Sequence, residues 1–285
     1  MPAKIVLAWY GNNARDLPWR RTRDPWAVIV SEVMLQQTPV PRVVPVYDSW
    51  MHRWPTPAAL AEDSPGDAIR MWGRLGYPRR ALRLHELAVV VTSRYGGEIP
   101  DRLEDLLALP GIGSYTARAV ASFAFGQRHP VVDVNVRRVV SRCVDGVENA
   151  APPRDRRDLE AMEKWVPPDP ATASVFAVAV MELGAVVCTA RAPRCGYCPL
   201  AGGCAWQLAG RPAYDGPRPT AQTWTGTDRQ ARGALMAVLR DSESAVPAHT
   251  LNDAWADAVQ RRRALDGLIA DGLVAVSGEG FALPT

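Results

Sequence analysis

The chain has 285 residues, 47% of them hydrophobic and 22% charged, with a formal net charge of +3 at neutral pH. That length suffices for a large buried core and two or three modules. No apolar run is long enough to cross a bilayer and residues 1–9 lack the layout of a secretory signal, so membrane and secreted classes are set aside and a cytoplasmic protein is expected. The total charge is too small to argue for nucleic acid, and the kind of cation says more. Only Lys4 and Lys164 are lysines among the 33 basic residues; the rest are arginine, which suits bidentate phosphate contacts and equally fits a biased coding composition.

In chain order, Leu17-Pro18-Trp19-Arg20 precedes Ser31-Glu32-Val33-Met34-Leu35-Gln36-Gln37-Thr38, and Gly76-Tyr77 marks a later turn. Amphipathic helical patterns dominate to about residue 190, for example at 101–109, 115–125 and 135–144, with no convincing alternating strand. An all-α body follows. Leu109-Pro110-Gly111-Ile112-Gly113 joins two of these helices, and Gly111 and Gly113 can expose backbone N–H groups where one phosphate would dock. Most such turns are only turns. Asp133 follows two β-branched residues and precedes a helical run, the place of an N-cap. Residues 150–170, rich in Pro and charge, read as a loop-and-helix excursion.

Four of the five cysteines fall within seventeen positions as C-x6-C-x2-C-x5-C: Cys188, Cys195, Cys198 and Cys204. Thiolates at this spacing converge on a soft metal centre, zinc or iron–sulfur. A single C-x2-C knuckle with long outer loops favours the cluster over zinc, and Arg191 and Arg194 would then sit in a loop aimed at phosphate. Cys143, alone in an apolar stretch, reads as a core thiol. His52, His85, His129 and His249 have no ligand spacing. Residues 211–227 read as a linker, and 228–285 as three helices closed by a hairpin turning on Ser277-Gly278-Glu279-Gly280, a winged-helix-like pattern that equally fits a packing appendage.

The hairpin, Asp133 and the cysteine spacing together resemble the helix-hairpin-helix glycosylase superfamily over about residues 5–210. The resemblance implies a two-lobed fold: a six-helix module at 23–134, and a [4Fe–4S] cluster domain from 1–22 and 135–210 with Cys188, Cys195, Cys198 and Cys204 as ligands. An alkali-metal ion at the hairpin is a further expectation. Within the superfamily, endonuclease III places a Schiff-base lysine two residues after the hairpin glycine, where this chain has Tyr115.

The segments around Trp19 and Glu32 resemble the MutY family of adenine glycosylases. That resemblance implies Glu32 as general acid, Asp133 as the carboxylate at the sugar, and Tyr115 and Asn135 beside it. Trp19, Arg20 and Leu35 would line the base pocket, Gln37 would enter the duplex, and Tyr77 would wedge into the stack. The expected substrate is double-stranded DNA with adenine opposite 8-oxoguanine or guanine, cut by a monofunctional, monomeric, nucleoid-associated enzyme. Val134, Pro78 and Val178 depart from the pattern, and only about seventy residues follow the linker, too few for the NUDIX-like domain of long MutY proteins. A thymine or uracil mismatch glycosylase and a redox-sensing DNA-binding regulator are the rivals; Glu32 argues against the first, and Glu32, Tyr115 and Asp133 together against the second.

Overall fold

The computed structural model describes residues 2–216, 224–278 and 280–285. The chain is helical as expected: α1 (Pro2–Asn13), α2 (Pro25–Leu35), α3 (Val40–Arg53), α4 (Pro57–Glu62), α5 (Pro65–Trp72), α6 (Arg79–Tyr95), α7 (Leu103–Ala108), α8 (Ser114–Phe123), α9 (Val134–Val140), α10 (Asp155–Glu163), α11 (Pro170–Val186) and α12 (Ala205–Leu208). The helix starts follow capping chemistry. Thr56, Ser64 and Asp169 each accept a backbone N–H through the side chain, with Pro in the first turn where no N–H is needed. Of the helix expected at 135–144, only the first half is α-helical; Ser141–Asp145 forms a single π-turn ended by Gly146 at φ 70°.

Two compact units emerge from the packing: Met1–Glu32, Pro100–Ala108 and Ile112–Pro217 in one, Val33–Ile99, Leu109–Gly111 and Arg218–Thr285 in the other. This divides the module expected at 23–134. The reason is visible in the first unit, where α8 packs on α11 and the Ser174 hydroxyl donates to the Ser122 carbonyl at 2.6 Å. The core of that unit joins α1, α9 and α11 through Val6, Val136, Val139, Phe176, Val180 and Leu183, all inaccessible to solvent. At about 25 cal/mol per Å² of apolar surface, burying such side chains contributes about 1.5–3 kcal/mol each.

In the second unit α4 and α5 pack on α6. Trp50 stands edge-on to Trp54 at 4.6 Å and to Trp72 at 5.8 Å, all three buried. The C-terminal residues form α13 (Asp228–Arg240), β1 (Val246–Pro247), α14 (Ala248–Ala254), α15 (Ala258–Ala270), β2 (Ala275–Ser277) and β3 (Gly280–Ala282). The sheet is antiparallel in the order β1-β3-β2, pairing Val246 with Phe281 and Ala275 with Ala282. Strand β1 was absent from the sequence pattern, and Glu279 of the expected turn, like 217–223 of the expected linker, lies outside the described residues.

The C-terminal module is seated on the 33–99 helices of its unit rather than standing apart. Arg70 Nη2 donates to the Ser242 carbonyl and Arg240 Nη1 to the Gly73 carbonyl, both at 2.7 Å, and Gly66 N–H donates to the Pro284 carbonyl at 2.8 Å. Gly66 has to be glycine for that approach, because a Cβ there would lie 2.5 Å from the Pro284 oxygen.

Candidate active site

Asp133 starts α9 in extended backbone and performs the capping task read from its position: Oδ1 accepts the Val136 N–H at 2.7 Å. Its other oxygen accepts from Asn135 Nδ2 at 2.7 Å. Burial pushes the Asp133 carboxyl up, while those donors and Arg138 pull it back toward the ionised form.

Glu32 is only 6% exposed on α2, and desolvation lifts its carboxyl to about 7. The Tyr115 hydroxyl donates to it and Arg20 acts with Tyr115 in opposing the rise, whereas the charge of Asp133 adds to it. Desolvation therefore favours the protonated form of Glu32, while donors on both Asp133 oxygens favour its carboxylate. Tyr115 packs where α8 meets α11, against Ala119 and Ala177, and the same carboxylates together with desolvation hold its phenol well above the usual range. It stays a neutral donor.

The residues Trp19 and Arg20 sit in a short 3-10 turn, Pro18–Arg20, with Trp19 buried. Arg20 is not free to swing. Its Nη2 donates at 2.7 Å to Glu182, whose side chain is wholly buried and is also gripped by Arg15 through Nε and Nη2 at 2.7 Å each. Burial alone would raise the Glu182 carboxyl, but the Arg15 and Arg20 hydrogen bonds outweigh it and hold the group at about 2. Arg20 also lies 5.8 Å from the Tyr10 ring centre. Sequence reading missed Glu182 as a site residue. A lone acidic side chain in a near-continuous apolar helix, flanked by Met181 and Leu183, was the available signal.

Gly184 lies one helical step further on. A Cβ there would stand 2.7 Å from Asn135 Cβ and 2.8 Å from its carbonyl oxygen, so only glycine lets α11 approach the start of α9 this closely. Across that contact Arg138 donates through Nη2 to Asn135 Oδ1 and the Gly184 carbonyl, and through Nε to the Cys188 carbonyl, each at 2.7 Å. Asp133 is thereby tied through Asn135 and Arg138 to the first cysteine of the loop.

Cys188, Cys195, Cys198 and Cys204 line one cavity, walled by Val139, Leu183, Val187, Pro193 and Trp206. Among the described residues no three metal-binding side chains converge at the spacing of a single ion. Four thiolate donors around one cavity suit a soft metal centre, zinc or iron–sulfur. Burial raises the Cys198 thiol to about 11 and also raises the Cys188 thiol, where Arg142 opposes it. Arg142 is buried over the Trp206 ring at 4.7 Å, donates to Cys188 Sγ at 3.4 Å, and also binds the carbonyls of Glu148, Thr189 and Ala190. Cys143 packs against the hydrophobic core, as read, and also lines this cavity; Arg194, exposed like Arg191, donates to the Val186 carbonyl.

Leu35, Gln37, Tyr77 and Gly111 belong to the second unit. Gln37 and Tyr77 are exposed and carry left-handed backbone at φ 55° and 49°, a strained choice for side-chain-bearing residues. One side chain holds both turns. Arg80, buried in the first turn of α6, donates to the carbonyls of Val33 (2.8 Å), Met34 (3.1 Å), Gln36 (2.5 Å) and Gly76 (3.0 Å), and to the Thr38 hydroxyl (3.0 Å). Burial lowers the guanidinium to about 10, leaving it fully charged. A cavity of about 280 Å³ opens beside it, lined by Gln36, Gln37, Tyr77, Arg83, Pro110 and Gly111 among others. Gly111 has φ 75°, and a Cβ on it would press on Arg83 at 3.1 Å. Gly113 opens α8 in extended backbone. Val134 is solvent-exposed and Val178 half-buried.

Residues 30–168 match the family described as HhH-GPD superfamily base excision DNA repair protein, and residues 188–204 match the iron-sulfur binding domain of endonuclease III. The chain is 55% identical to the adenine DNA glycosylase of Mycobacterium tuberculosis, over 98% of this chain and 92% of that protein. It is 43% identical to the Homo sapiens adenine DNA glycosylase over 68% of this chain and 37% of the human one. Among solved structures, that of a thermostable thymine-DNA glycosylase superposes with a TM-score of 0.66 at 30% identity, covering 73% of this chain and 95% of that one.

Proposed function

We propose, from the premise that this chain belongs to the adenine DNA glycosylase family, that it hydrolyses the N-glycosidic bond of adenine mispaired with 8-oxoguanine or guanine in double-stranded DNA. The observation that carries the reading is the pairing of a desolvated Glu32, titrating at about 7, with Asp133 and the Tyr115 hydroxyl in one site. Adenine leaves poorly as an anion, so a neutral acid is needed at a ring nitrogen. Glu32 supplies that proton as the C1′–N9 bond breaks. The developing oxocarbenium charge is met by the Asp133 carboxylate, whose oxygens are aimed by Val136 N–H and Asn135. Adenine leaves as the neutral base, and water then adds to C1′ and gives its proton to the ionised Glu32, restoring the acid and leaving an abasic sugar. Tyr115 stands where a Schiff-base lysine would be required for strand cleavage, which supports a monofunctional enzyme.

Cys188, Cys195, Cys198 and Cys204 would hold the [4Fe–4S] cluster of the matched iron-sulfur binding domain. When bound, it cross-links the 188–204 loop through iron–thiolate bonds. Arg142 and Arg138 then fix the loop's first residues against α9.

Single-turnover excision on otherwise identical duplexes carrying A·8-oxoG, A·G, T·G and U·G tests the assignment. Release of adenine from the first two is expected; cutting confined to T·G or U·G overturns it in favour of a pyrimidine mismatch enzyme. A charge about 4 Å from the sugar contributes roughly 4 kcal/mol at an effective dielectric of about 20. Asp133→Asn is therefore expected to slow excision by about a thousandfold or more, with duplex affinity within about threefold of the parent.

A further inference from the structure

The C-terminal module reaches the turn that carries Tyr77. Its seating contacts bracket that turn: Arg240 binds the Gly73 carbonyl on one side, and Asp271 pairs with Arg79 at 3.2 Å on the other. Between these anchors the Tyr77 ring, 44% exposed, lies 5.6 Å from the Arg80 guanidinium and 4.6 Å from that of Arg229, at the start of α13. Arg229 is at the same time 5.5 Å from the exposed Trp224 ring. Two guanidiniums thus contact one aromatic ring held at φ 49°. A side chain in that backbone region persists only where its surroundings over-determine it, and stacking on a planar cation supplies such a constraint without hiding the ring's edge.

We propose that Arg229 is a positioning residue through which the C-terminal module presets Tyr77 for entry into the base stack. This rests on the reading of Tyr77 as the wedge residue. It gives the module a task in lesion engagement: with the ring ordered before DNA arrives, less conformational freedom is lost when it inserts. Arg229 acts on binding and base unstacking, and the bond-breaking step is left to Glu32 and Asp133.

A double-mutant cycle on the full-length, iron-loaded protein tests this. In an Asp133→Asn background that prevents turnover, Arg229→Ala, Tyr77→Ala and their combination are compared. The probe is a 30-base-pair duplex with one A·8-oxoG pair and 2-aminopurine beside it. Iron content and melting temperature report folding. Arg229→Ala is expected to weaken affinity about fivefold and to reduce the 2-aminopurine fluorescence gain that marks unstacking, with Arg229→Lys recovering part of both. Tyr77→Ala is expected to weaken affinity about tenfold, and the double variant no further. In the otherwise wild-type enzyme, the excision rate of Arg229→Ala at saturating protein should fall only in proportion to the lost 2-aminopurine gain, because the bond-breaking step itself is untouched. An Arg229→Ala loss that persists undiminished in the Tyr77→Ala background identifies a direct phosphate contact and overturns the proposal, as does an Arg229→Ala variant identical to its parent. If Tyr77→Ala itself binds and unstacks like the parent, the wedge reading fails and the proposal with it, while adenine excision stands on its own assay.

Discussion

At Glu32 the electrostatics set the direction of the pH response. As the proposed acid, Glu32 works in its protonated form, and its carboxyl is lifted from 4.5 to about 7 by desolvation first and the Asp133 charge after it. Excision should therefore be fastest below about pH 7 and fall about tenfold per unit above it, seen in single-turnover rate against pH. Glu32→Gln should be slow and flat across that limb. The same shift carries a stability sign. Below about pH 4.5 the carboxyl is protonated folded or unfolded and costs nothing; between 4.5 and 7 the unfolded chain ionises while the folded one resists. Above 7 the folded state is penalised by about 3 kcal/mol. Glu32→Gln should consequently raise the urea midpoint at pH 8 and leave it unchanged near pH 4. The kinds of residue at this site were legible from their motifs. The Arg15 and Arg20 grip on Glu182 was not, because it joins positions more than 160 residues apart and leaves no local pattern.

At the scale of elements, the end of α2 and the turn before α6 are one assembly because Arg80 joins them. Val33 and Met34 present last-turn carbonyls that α2 itself cannot satisfy, and a single planar guanidinium reaches both together with Gln36, Thr38 and Gly76. Arg80→Met should lower stability by about 2–4 kcal/mol in denaturant unfolding. It should also weaken mispair binding, since Gln37 and Tyr77 lose their support. Arg80→Lys should recover less than half, because a point ammonium does not span five acceptors; full recovery would show that charge alone matters there. Periodicity located α6 well enough, but nothing in an amphipathic pattern distinguishes a buried arginine on its first turn from a solvated one.

For the molecule as a whole, the cluster loop and the C-terminal module are the two parts whose stability depends on distant groups. Cys195→Ser should abolish stoichiometric iron and the absorption band near 400 nm; stoichiometric zinc without iron in the parent would overturn the cluster assignment. Because Arg138 links the Cys188 carbonyl to Asn135, loss of the loop should also reduce excision. The described C-terminal residues sit on the 33–99 helices through carbonyl contacts and through Leu283 beside Gly66. The sequence had read that segment as a module beyond a linker, because the docking contacts go to backbone carbonyls, which any residue carries.

The sequence alone determined the all-α class and the four thiolates at their short, fixed separation, whereas the proposed acid, carboxylate and tyrosine came from resemblance to a family. Tertiary structure decided that Glu32 is desolvated beside Asp133, that Arg20 is immobilised by Glu182, that one arginine supports two strained turns, and that the C-terminal module touches Tyr77. Desolvation and hydrogen bonds between distant positions depend on which surfaces the fold brings together, and that is set by packing across the whole chain rather than by neighbours along it.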